Sequence, residues 1–125
     1  MAEQSKAAVS THIKRFQLTN ETSWSANVDQ AVSKSLSKEG IKRQEAIFEL
    51  IATESRYVRS LQILFEIFYP ALKSVLSEKE LTLVFSNVED ILLCNVQLLA
   101  DLEDRQSLEM PIVSKIGDVI SKHVC

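Results

Sequence analysis

The sequence predicts an all-α protein, an elongated helical bundle, on three observations. Residues 41–72, IKRQEAIFELIATESRYVRSLQILFEIFYPAL, contain no glycine and no proline before Pro70. Within them Ile47, Leu50, Ile51, Val58, Leu61, Phe65 and Phe68 recur at spacings of three and four, which at about 100° per residue puts them on one stripe of a single long helix. The rest of the chain repeats that period in shorter segments, while its two glycines and few β-branched alternations give no strand signal and no internal repeat.

Each element follows from local chemistry. Residues 1–22 are rich in Ser, Thr, Gln, Asn and Lys and poor in large apolar side chains, so they cannot offset chain entropy and read as a disordered tail. In residues 23–40, Trp24, Val28, Val32 and Leu36 recur every fourth position, predicting a short amphipathic helix that ends at Gly40 and docks on the long one. After Pro70, Ser77 followed by Glu80 has capping-box spacing and opens a short helix over 78–85. Ser86 and Asn87 offer a second cap, and from Val88 the positions Ile91, Leu92, Val96, Leu98, Leu99 and Leu102 predict a third substantial helix. Pro111 suits the first turn of a last helix, Ile112 to Val124, with Ile116, Val119, Ile120 and Val124 on one side.

Composition narrows the function. Lys and Arg number 14 against 17 Asp and Glu, a net charge of −3, and the basic residues are scattered, so nucleic acid is not an expected partner. No apolar run approaches the roughly 18 residues of a membrane span, and the first residues lack the apolar core of a signal peptide. The expectation is a cytoplasmic protein, or one recruited to a membrane surface, with no integral membrane segment. Cys94 and Cys125 have neither metal-ligand spacing nor disulfide density and read as reduced thiols. His12 lies in the tail and His123 near the end, both expected on the solvated surface. Without a P-loop, an HExxH, a CxxC or a nucleophile–base set, the chain is expected to act by binding, without cofactor, metal or covalent chemistry.

Two acids on the long helix separate by arithmetic. Glu54 is seven residues after Ile47 and falls near the centre of the stripe, where a charge needs a partner; it reads as structural, satisfied by a donor from a neighbouring helix. Glu49 lies roughly 160° from Ile47, on the solvent side, and neither Glu45 nor Thr53 offers it an opposite charge at helical spacing. Trp24 reads more readily as a staple for its helix than as a partner contact.

These segments resemble a known family. The long helix, with its RQE, the EL and TE of FELIATE and the YVRSL that follows, resembles the first signature region of the Dbl-homology domain of guanine-nucleotide exchange factors for Rho-family GTPases. LVFSNVEDILLCNVQLLADLEDR resembles the second region, and KIGDVISKHV the stretch beyond it, so the likeness covers about residues 24–124. Ser23 and Trp24 hint at a Rho-directed branch.

The resemblance implies an all-α bundle without cofactor that binds a Rho-family small GTPase, displaces its switch segments and so promotes GDP release. It assigns Glu49, the Glu of the EL pair, to switch I and leaves Glu54 structural; the expected contact surface is then Glu49 and the face around it, Glu45, Ala52, Thr53 and Arg56, with Trp24. Residues 41–125 then correspond to the N-terminal half of such a domain. The third region, which engages switch II, has no counterpart before Cys125, so the chain alone is expected not to accelerate GDP release. The alternative reading is a truncated helical interaction module that self-associates through apolar stripes it leaves uncovered.

Overall fold

Ser37 decides where the main helix begins. Its backbone is extended and its hydroxyl accepts from the Gly40 N–H at 3.0 Å, so it is the N-cap, with Glu39 in the first turn. In the computed structural model, which describes residues 23–123, helix α2 spans Lys38–Ile63. Gly40 therefore lies inside the first turn of the long helix and does not end an earlier one.

The expected helix over residues 23–40 is two smaller pieces. Ser25–Asn27 form a 3-10 turn, Val28 is extended, and helix α1 covers only Gln30–Lys34. The four-residue apolar period spanned both without being continuous, since Val28 breaks it. The predicted tail over 1–22, with His12, lies outside the described residues, as do Val124 and Cys125.

Helix α2 runs on through a π turn, Leu64–Phe68, into helix α3, Tyr69–Lys73. Pro70 explains the wider turn: in α register its ring would meet the Glu66 carbonyl, and it has no N–H to donate. Ser77 then caps helix α4, accepting from the Glu80 N–H at 3.2 Å while its hydroxyl donates to the Glu80 carboxylate at 3.1 Å.

Helix α4 is a single element, Glu78–Leu108, where the sequence suggested two. Ser86 and Asn87 are exposed interior residues. Their capping chemistry loses to packing, because Leu81, Phe85 and Leu92 on either side are buried on one face. By length and composition α4 could cross a membrane, a property the residue-by-residue reading missed. One face of it, Leu92, Val96, Leu99 and Leu102, is buried against α2.

Helices α2 and α4 pack antiparallel. At one end the rings of Phe65 and Phe85 lie 5.9 Å apart, with Tyr69 5.2 Å from Phe85. Between the ends Ile47, Ile51, Val58 and Leu61 meet the α4 leucines, and Val58, Leu92 and Leu99 are fully buried, each worth about 1.5–3 kcal/mol of transfer free energy. The stripe is narrower than predicted, since Leu50 and Phe68 are exposed at 41% and 49%.

At the other end the last helix differs most. Helix α5 covers Gly117–His123, and residues 112–116 are not helical, so Pro111 is not in its first turn. Gln44 of α2 explains this: its amide donates to the Val113 carbonyl at 2.7 Å and accepts from the Val113 N–H at 2.9 Å, satisfying both main-chain groups of a non-helical residue. Arg43 adds a bond to the Val113 carbonyl at 3.1 Å and another to the Ser114 carbonyl.

Helix α5 is fastened to α4 by charge. Arg105 bonds both carboxylate oxygens of Asp118, at 2.9 and 2.7 Å, and this guanidinium holds the Asp118 carboxyl down at about 2. His123 and Lys122 meet Asp101 at 2.7 and 3.1 Å, and those bonds hold its carboxyl below the usual range. His123 is thus paired and largely buried, against the expectation of a solvated residue. Val119 is buried too, so the large exposed apolar side chains lie elsewhere, among them Ile67, Phe68, Leu83, Val84 and Ile91.

Candidate functional site

The outer face of α2 carries Glu49 away from the core. Seven residues on, two turns later, Arg56 returns to the same side of the helix, and side chains lean toward the N-terminus, so Arg56 reaches back toward Glu49. Its Nη2 donates to Glu49 Oε1 at 2.9 Å and to Thr53 Oγ1 at 3.2 Å, and the Thr53 hydroxyl donates to the same Glu49 oxygen at 3.3 Å. Both charged side chains are well exposed, at 60% for Glu49 and 59% for Arg56. Glu49 therefore has an opposite charge at i+7, which the search at i±4 did not find.

The other residues expected on this face divide. Thr53 and Arg56 are exposed and belong to it. Ala52 is buried at 6% and is a packing residue, not part of an exposed contact surface. Glu45 is half-buried and engaged: its carboxylate accepts from the N–H groups of Trp24 and Ser25, both at 2.9 Å, and from the Ser25 hydroxyl. Burial pushes that carboxyl up, but the Ser25 and Trp24 bonds outweigh it and hold it below the usual range.

Trp24 is 5% exposed, and its indole N–H donates to the Pro111 carbonyl at 2.8 Å. The staple reading fits, with the loop after α4 as its anchor, and the indole ring itself is buried. One turn of α2, Arg43 to Glu45, thus fastens both the N-terminal segment and the 111–114 loop. Sequence reasoning missed Arg43 and Gln44, since their partners lie about 70 residues away.

Glu54 lies off this face and is half-buried. Burial raises its carboxyl above the usual range, and among the described residues its Oε1 has no hydrogen-bond partner. The donor expected from a neighbouring helix is not found among them. Its place against the bundle rather than on the outer face agrees with the helical arithmetic.

A groove of about 400 Å³ opens at the far end of the bundle, lined by Phe65, Tyr69, Lys73, Phe85 and Glu89. Phe65 lies 16 residues beyond Glu49, roughly 24 Å along the helix, so the two features are separate. Among the described residues no group of three His, Cys, Asp or Glu could hold a metal ion, and Cys94 is an exposed free thiol.

Residues 46–125 match the RhoGEF domain family model. Over 85 residues the chain is 44% identical to Intersectin-1 of Homo sapiens, covering 64% of this chain and 5% of that protein. It is 37% identical over 108 residues to RHO1 GDP-GTP exchange protein 1 of Saccharomyces cerevisiae, covering 82% of this chain and 9% of that one. Rho guanine nucleotide exchange factor 12 of Mus musculus is 37% identical over 103 residues, covering 80% and 7%. The chain thus spans less than a tenth of the length of these relatives. No solved structure matches it.

Proposed function

The chain belongs to the RhoGEF domain family, and we propose that it engages a Rho-family GTPase through the outer face of α2 and contributes to GDP release by competing for the switch regions. The observation that carries this reading is Glu49: the acid of the EL pair, within the matched residues 46–125, stands exposed on the outer face with its core-facing neighbours Ile47 and Ile51 buried. Thr53 and Arg56 stand beside it on the same exposed face. Glu45, Trp24 and Ala52 act behind it, as holders of the fold. The work is done by binding: a surface that favours the nucleotide-free GTPase shifts that equilibrium by its differential affinity, with no covalent step. The setting is the cytoplasm or a membrane surface where the GTPase resides.

The test is capture of a Rho-family GTPase stripped of nucleotide. Binding by the chain should fall more than tenfold for Glu49→Ala, with helix content unchanged. A folded Glu49→Ala protein that binds as the parent does would remove Glu49 from this role. A second reading, a helical module pairing with another helical chain, is supported by exposed Ile67, Phe68, Leu83, Val84 and Ile91. Size-exclusion chromatography separates the two: that module runs as an oligomer whose state is indifferent to Glu49.

A further inference from the structure

The two oxygens of the Glu49 carboxylate are treated differently by their own helix. Oε1 receives both local donors, the Arg56 guanidinium and the Thr53 hydroxyl, while among the described residues nothing donates to Oε2. Thr53 closes the triangle by accepting from the Arg56 nitrogen that holds Glu49. We infer that Arg56, with Thr53 as the bridge, is a positioning residue: it fixes the Glu49 side chain so that its free oxygen is presented to the GTPase.

The physical case rests on what such a pair is good for. At about 60% exposure an ion pair is screened and stabilises the fold by little or nothing. What it does change is freedom. An unrestrained glutamate on a helix surface samples several rotamers, and a partner that needs one of them must freeze the rest on binding. Two donors on one oxygen, both rooted in the same rigid helix one and two turns away, do that ordering in advance. The other oxygen is left as an acceptor for whatever docks on the outer face. This role rests on the function proposed above and deepens it, since Arg56 acts on the partner through Glu49.

Two measurements test it, one of which does not depend on the GTPase. In the free chain, side-chain three-bond couplings of Glu49 should report one dominant rotamer, and Arg56→Gln should average them; Thr53→Val, which removes the bridge at constant shape, should do so more weakly. Couplings unchanged in Arg56→Gln overturn the positioning role outright. In binding to a nucleotide-free Rho-family GTPase, Arg56→Gln should weaken affinity about three- to tenfold, the scale of freezing one side chain. In a Glu49→Ala background the same substitution should cost nothing further. An equal loss in both backgrounds overturns the proposal by making Arg56 a direct contact. If Glu49→Ala binds like the parent, the reading of the site itself falls, whatever the couplings show, and Arg56 loses its role with it.

Discussion

Replacing Gln44 by leucine should be the most damaging single change that leaves the core volume intact. The Gln44 side chain is 3% exposed and pairs with both main-chain groups of Val113, itself 4% exposed. Leucine fills similar space but makes neither bond. The Val113 N–H then has no acceptor inside the fold, at about 1–3 kcal/mol for a buried unsatisfied group. The carbonyl keeps Arg43, at 3.1 Å, so its loss is nearer the net value of one bond, about 1 kcal/mol. Together these predict a loss of about 2–4 kcal/mol. For a domain of this size about 4–8 °C accompanies each kcal/mol, so the midpoint should fall by roughly 8–32 °C. Thermal unfolding followed by circular dichroism measures the size, and hydrogen exchange locates it, since the Val113 amide should lose protection before those of Leu92 or Leu99. A midpoint within about 2 °C of the parent, with Val113 still protected, would refute the reasoning, because water or a shifted loop would then be replacing the glutamine at no cost.

Three further changes are predicted. Glu54→Gln should stabilise the fold by about 0.5 kcal/mol at neutral pH, the low end for such a gain because the group is only half-buried. The sign follows from a carboxyl raised by burial: its ionised form burdens the fold above the folded pKa, and the burden vanishes as pH falls through that value toward the unfolded one. Melting the pair at neutral and acid pH checks this, and a less stable mutant at neutral pH would point to a donor for Glu54 after all. For Asp118 the sign is opposite, since Arg105 depresses its carboxyl to about 2; the hold on α5 is complete above the ordinary value of 3.8 and is lost as pH falls from there to about 2. Amide exchange in Gly117–His123 should rise in that window, and an unchanged profile would show that the Arg105–Asp118 pair does not hold the helix. Trp24→Phe keeps a ring but removes the bond to Pro111, and should cost about 1–2 kcal/mol while leaving affinity for a nucleotide-free GTPase unaltered. A folded Trp24→Phe protein that loses binding would make Trp24 a contact.

What was legible in the sequence follows from range. The all-α class and the faces of α2 rest on a period repeated over many turns, and Ile47, Ile51, Val58, Leu61 and Phe65 are buried as that period requires. The errors cluster where a distant group overrides a local signal. Ser86 and Asn87 look like a cap, yet Phe85 and Leu92 bury on one continuous helix. Ile112 to Ile116 look helical by apolar spacing, yet Gln44, 69 residues earlier, takes the main chain of Val113. Nothing near Pro111 in sequence announces that Trp24, 87 residues away, will donate to its carbonyl. Glu49 was placed correctly by angle alone, while its link to Arg56 needed a partner two turns on with Thr53 between them.

The division of labour along α2 follows from these contacts. Arg43, Gln44 and Glu45 occupy one turn and hold two chain segments, so the start of the helix is clamped from both sides. Glu49 stands one turn later, on a backbone whose hydrogen bonds pass directly into that clamped turn. Beyond it Ile51 and Val58 are buried against α4, which fixes the helix on the core side through the same stretch. A residue placed between two anchored turns, with its own carboxylate tied by Thr53 and Arg56, has little conformational freedom left to lose when a partner docks. Changes in the clamp should therefore act on binding only through stability, whereas changes at Glu49 or Arg56 should act on binding with the fold intact.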